Sequence, residues 1–61
     1  MNIYDNVKEI ADRKGLTICE LESRAGISNG SIGKWKVSSP TVENLSKVSK
    51  VLRVDIRRLI K

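Results

Sequence analysis

Residues 17–35 read TICELESRAGISNGSIGKW, and this run decides the architecture because it describes two short helices folded against each other around a tight turn. Thr17 followed three residues later by Glu20 is a capping pair, in which a hydroxyl and a carboxylate satisfy each other's orphan amides at a helix start. The turn is Ala25-Gly26-Ile27. Gly26 can enter the left-handed conformation that ends a helix abruptly, and Ser28, two positions on, can cap the next one. A stop and a start so close together leave the two helices steeply crossed. That is the geometry by which a helix-turn-helix offers its second helix to a major groove.

Working outward, the same grammar recurs. Asn2 caps a first helix over residues 3–14, where Ile3, Val7, Ile10 and Ala11 form one apolar stripe, with Tyr4 beside it and Gly15 as the stop. An apolar residue before a cap, matched by another at the fourth helical position, is a hydrophobic staple. Leu16 and Leu21 flank Thr17 in this way, Ile27 and Ile32 flank Ser28, and Val54 and Leu59 flank Asp55. The fourth helix can start from Ser39 with Pro40 as its first residue, or from Thr41 with Pro40 and Leu45 in staple positions; we favour Thr41. Its inner face is expected to carry Val42, Leu45, Val48 and Leu52, and a short fifth helix covers 56–60. No stretch sustains the alternation of a strand. The expectation is an all-α, five-helix domain spanning residues 1–61.

Composition excludes several classes of function. A chain of 61 residues has room for one domain, in which roughly 60% of the unfolded surface can be buried. The single cysteine, Cys19, rules out an internal disulfide, and the absence of His removes the commonest metal ligand and general base. No apolar run approaches the roughly 20 residues needed to cross a bilayer. The order Gly26, Gly30, Gly33-Lys34 superficially suggests a phosphate loop, but no strand precedes it and Trp35 stands where Ser or Thr is required. Enzyme activity, a metal and a cofactor are not expected.

Charge points instead to a polyanion. The net charge is +5, and it is polarised: the first 22 residues hold three basic and five acidic side chains, the remaining 39 hold nine and two. Such asymmetry suits a partner whose phosphates release counterions when neutralised. On a helix over 28–35, Ile32 and Trp35 share the inner face at about 100° per residue, while Gly30, Gly33 and Lys34 turn outward and Asn29 lies on a flank. Asn29 can pair with adenine in bidentate fashion, and Lys34 can donate to guanine or to a phosphate. Gly30 and Gly33 each cost about 1 kcal/mol relative to Ala inside a helix. Either they permit close approach to the groove floor and leave the helix loose until DNA orders it, or few specific base contacts are made there.

The run 16–35, with Leu21, Ala25-Gly26-Ile27-Ser28, Ile32 and Trp35 in register, resembles the lambda-repressor-like helix-turn-helix family, also called the Cro/repressor or XRE family. AGISNGSIGKWK over 25–36 is its most specific part. The resemblance implies five helices with the motif in the second and third, and operator binding without cofactor or catalysis. It implies double-stranded DNA as partner, a homodimer on a palindromic operator, a repressor or activator role, and a cytoplasmic, bacterial or phage origin. Carried over by position, Ser28, Asn29, Gly30 and Lys34 face bases, while Thr17, Ser31, Lys36 and Ser38 face the sugar-phosphate backbone. Departures from the family pattern are also visible. Ile18 replaces a Gln that often grips phosphate. Glu22 replaces an Ala packed on the next helix, so its side chain is expected at the edge of the interface. Ser38 and Arg53 replace glycines, and their local backbones are expected to differ. The competing function is a protein-interaction module of the same fold, docking through Ile56, Leu59 and Ile60.

Overall fold

The computed structural model describes residues 2–60. Three α-helices and two short 3₁₀ segments follow one another: α1 (Ile3–Arg13), α2 (Ile18–Ala25), a first 3₁₀ segment (Gly33–Lys36), α3 (Val42–Leu52) and a second (Ile56–Arg58). The described residues are thus all helical or irregular, without strands, and the expected count of five α-helices is corrected to three. The first, second and fourth helices form where the caps place them. Asn2 accepts from Asp5 N–H at 2.9 Å, Thr17 and Glu20 close a complete capping box, and Thr41 accepts from Asn44 N–H at 3.2 Å. Thr41, rather than Ser39, is therefore the cap of α3.

All three α-helices end in the same way. A residue in the left-handed conformation follows each one, namely Gly15 (φ +73°), Gly26 (φ +72°) and Arg53 (φ +57°). The amide after it donates back five residues: Leu16 to Ala11 at 2.9 Å, Ile27 to Glu22 at 3.1 Å and Val54 to Ser49 at 3.1 Å. This closure satisfies carbonyls that a helix end leaves unpaired. Arg53 was expected to change the local backbone; instead it adopts the glycine-like conformation itself, at a cost of about 1 kcal/mol. Leu16, Ile27 and Val54 pack against the core, so the residue that closes one helix is also the apolar lead into the next segment.

The core is one aliphatic cluster closed by a single aromatic ring. Val7 and Ala11 enter from α1, Leu21 from α2, Leu45, Val48 and Leu52 from α3, with Ile32, Trp35 and Leu59 from the connecting segments. Packing is most extensive between α2 and α3, and α1 lies against the first 3₁₀ segment. Asn6 Nδ2 donates to the Leu59 carbonyl at 2.9 Å, tying α1 to the chain's far end. One expected core member is corrected: Val42 is 76% exposed. At 100° per residue it lies about 90° from the centre of the stripe made by Leu45, Val48 and Leu52, so it flanks that stripe. The fifth helix is also corrected. Arg58 and Leu59 amides donate three residues back, to Asp55 and Ile56 at 2.9 and 3.0 Å, and so short a segment gains too little from α-helical bonds to form them.

Candidate nucleic-acid interface

The segment after Gly26 differs most from expectation. Residues 28–35 do not form an α-helix: 29–32 are a turn, and 33–36 a 3₁₀ segment. Gly30 has φ +90°, outside the helical region and open only to glycine at low cost. The amides tell why the turn holds. In an α-helix capped at Ser28, the Ser28 hydroxyl would serve the Gly30 or Ser31 amide, and the Ser28 carbonyl would serve Ile32. Here the Glu22 carboxylate takes over both tasks. Its Oε1 accepts from Gly30 N–H at 3.1 Å and its Oε2 from Ile32 N–H at 2.9 Å. The Ser28 carbonyl is left to accept from Ser31 N–H at 3.1 Å, a bond one residue shorter than the α-helical one. The 3₁₀ segment that follows is preceded by Ile32, which offers no side-chain cap.

Glu22 is only 3% exposed, so its expected place at the edge of the interface is corrected as well. An isolated carboxylate in that position would be costly, but each of its oxygens meets a backbone donor. Hydrogen bonds to a charged acceptor contribute about 1.5 to 3 kcal/mol each. Ile32 and Trp35, fully and 94% buried respectively by their exposures of 0% and 6%, fix the far side of the turn in the core. The segment is therefore tied down from α2 at its tip and from the core at its end. Its backbone continues with Lys34 N–H donating to the Gly30 and Ser31 carbonyls at 3.3 and 3.2 Å, and Trp35 N–H to Ile32 at 3.0 Å.

The structure brings the proposed base-reading residues to one exposed strip. Ser28, Asn29, Gly30 and Lys34 are all exposed, with Ser31 half-buried beside them. Among the described residues, neither Asn29 nor Lys34 has a side-chain hydrogen bond or ion pair, which leaves their polar ends available. The backbone-contact set is less uniform. Lys36 is exposed, and its ammonium lies 4.6 Å from the Tyr4 ring centroid, a cation–π contact that steadies the side chain against α1. The Ser38 hydroxyl donates to the Lys34 carbonyl at 3.1 Å. The Thr17 hydroxyl is engaged on both sides with Glu20, accepting from its amide at 3.1 Å and donating to its carboxylate at 3.2 Å.

Neutralisation is distributed unevenly over the surface. Ion pairs join Lys8 to Asp12, Arg13 to Glu9, Lys47 to Glu43 and Arg57 to Asp55. Hydrogen bonding from Arg57 also holds the Asp55 carboxyl below its ordinary pKa. Lys34 and Lys36 have no carboxylate partner among the described residues, so the irregular segment keeps its positive charge. The burial of Glu22 is what sequence reasoning missed. One signal existed: Ile18, Glu22 and Ala25 recur at i, i+4 and i+7, and both apolar neighbours face the core, which places a charge in an inward stripe.

A capped α2 stopped at Gly26, packed on α3 and followed by an exposed segment of small residues with two cations, fits the helix-turn-helix class of domain. A helix-turn-helix family model matches residues 7–59, and the chain belongs to that family, of the lambda-repressor-like or XRE type. The family is one of DNA-binding domains of the transcription-regulator kind, not of enzymes. A search of curated proteins found no match to the chain. No helix among the described residues is long and apolar enough to cross a membrane, and no group of potential metal ligands gathers there.

Proposed function

We propose that the protein is a sequence-specific transcriptional regulator of the repressor type, binding a palindromic operator as a homodimer in a bacterial cytoplasm. The observation that carries this reading is the exposed strip Ser28-Asn29-Gly30 with Lys34 beside it, unneutralised, within a family that binds DNA. Asn29 pairs with adenine N6 and N7, and Lys34 donates to guanine O6 and N7 or to a phosphate. Ser28 supports them at base edges, and Gly30, lacking a side chain, lets the backbone approach the groove. Lys36, Ser31 and Ser38 contact the sugar-phosphate backbone. Because the Thr17 hydroxyl is already engaged, that end of α2 meets phosphate through the helix's first amides.

Selection from random duplex DNA tests this directly. A palindromic winner is expected, with binding that weakens steeply as salt rises. Lys34→Ala should lower affinity for the selected site by about tenfold, within the range expected for one base contact. Failure to enrich any site, or an affinity insensitive to salt and to Lys34→Ala, would overturn the proposal. Docking of a protein through Ile56, Leu59 and Ile60 is disfavoured, because Leu59 is fully buried and only Ile60, 52% exposed, stands clear.

A further inference from the structure

The geometry points to Glu22 as a positioning residue that sets sequence discrimination: its buried carboxylate shapes the base-reading segment into a fixed, non-helical turn before DNA arrives. The inference rests on the DNA-binding reading above and adds to it a residue that cannot itself reach DNA. Three observations combine. Glu22 is inside the protein yet lies in no ion pair among the described residues, and both its oxygens are spent on backbone amides of one segment. Those amides belong to Gly30, directly after Asn29, and to Ile32, two residues before Lys34, so the bonds fix the backbone from which the reading side chains project. Gly30 at φ +90° supplies the backbone freedom the turn requires, with nothing within 4 Å of the position a Cβ would take.

This arrangement replaces the expectation of a loose helix that DNA orders. A preorganised turn leaves less conformational entropy to lose on binding, and it holds Asn29 and Lys34 at a defined separation, which is what discrimination between base pairs needs. It also separates specificity from affinity. The cations carry the sequence-independent attraction to phosphate, whereas the buried anion beneath them serves only the shape of the reading segment. Removing its charge should therefore weaken recognition of the right site without weakening adhesion to any duplex.

The test compares wild type with Glu22→Gln, which keeps side-chain size and one acceptor oxygen but turns a donor toward the second amide. Affinity is measured for the selected duplex and for an unrelated duplex across a salt series, at a temperature where circular dichroism shows both proteins folded. The expected result is a drop of about tenfold in the ratio of the two affinities, an unchanged salt slope, and unrelated-duplex affinity kept or raised. Amide exchange at Gly30 and Ile32 should be slow in free wild type and faster in the variant. An unchanged ratio in folded Glu22→Gln, or unprotected Gly30 and Ile32 amides in wild type, overturns the inference while leaving the DNA-binding reading intact. A wild-type chain that prefers no duplex overturns both. Should Glu22→Gln fail to fold, Glu22→Asp, which keeps the charge but is one methylene too short to hold both amides in place, must show the same loss of ratio, and an unaltered ratio there overturns the inference.

Discussion

The two halves of the helix-turn-helix are built on different physical principles. The first, α2 with its capping box and Gly26 stop, is held by bonds between residues at most five positions apart. The second, residues 27–36, depends on contacts spanning eight and ten positions, from Glu22 to Gly30 and Ile32, and on Ile32 and Trp35 reaching the core. A regular helix can be written locally, while an irregular turn that must keep one shape needs an anchor from elsewhere. The difference also divides the labour: the local half braces, and the anchored half presents polar groups.

Substitutions can break this contrast, and Glu22→Ala should do so most severely. It strands two amides, one of them buried, and is expected to cost about 3 kcal/mol. For a domain of this size each kcal/mol lowers Tm by about 4 to 8 °C, so calorimetry or a urea titration reads the effect plainly. If the loss were under about 1 kcal/mol, the anchor would be dispensable.

The glycines offer a sharper comparison within the second half. Gly30→Ala should destabilise by about 1 to 2 kcal/mol because φ is +90°, although space exists for the methyl group. Gly33→Ala meets neither a positive φ nor a neighbour, and should be neutral or stabilising by up to about 1 kcal/mol through the unfolded chain's entropy. Equal effects at the two sites, measured by denaturant titration, would contradict a fixed turn. In the first half, Thr17→Ala removes the cap and should cost about 1 kcal/mol, with hydrogen exchange rising at the Glu20 amide while Gly30 and Ile32 stay protected. The smallest change is expected outside the motif. Arg53→Gly relieves the left-handed strain at the end of α3 and should raise stability by about 0.5 kcal/mol, measured as an upward shift in Tm.

How much could be read from the chain differs by element. Asn2, Thr17 with Glu20, Thr41 and Asp55 announce the starts of their segments, and each accepts the amide its position implies. Leu21, Ile32 and Trp35 are where helical phase or stapling puts them, inside. The exposed strip of Ser28, Asn29, Gly30 and Lys34 was legible too, because polar and small residues that fall off the face of the inward-turned Ile32 and Trp35 are left to solvent. The form of that strip was not. Ser28 before an apolar residue at the fourth position looks like a helix start, and no local rule says that a carboxylate six residues earlier will claim the amides. Val42 shows a milder version, an apolar residue that shares a helix with the core but not its face.

The amino-acid sequence by itself determined the all-helical class, the three α-helices with their caps and the glycine stops of the first two, the family, and the positive charge around the motif. These rest on hydrogen bonds and periodicities that close within a turn or two of helix, so neighbouring residues suffice to specify them. Only the tertiary structure decided that the expected recognition helix is a turn, that Arg53 takes a glycine's conformation, and that Glu22 is buried beneath Gly30. The reason is that a backbone amide accepts whichever partner folding brings closest, and for Gly30 and Ile32 that partner is a side chain from the preceding helix.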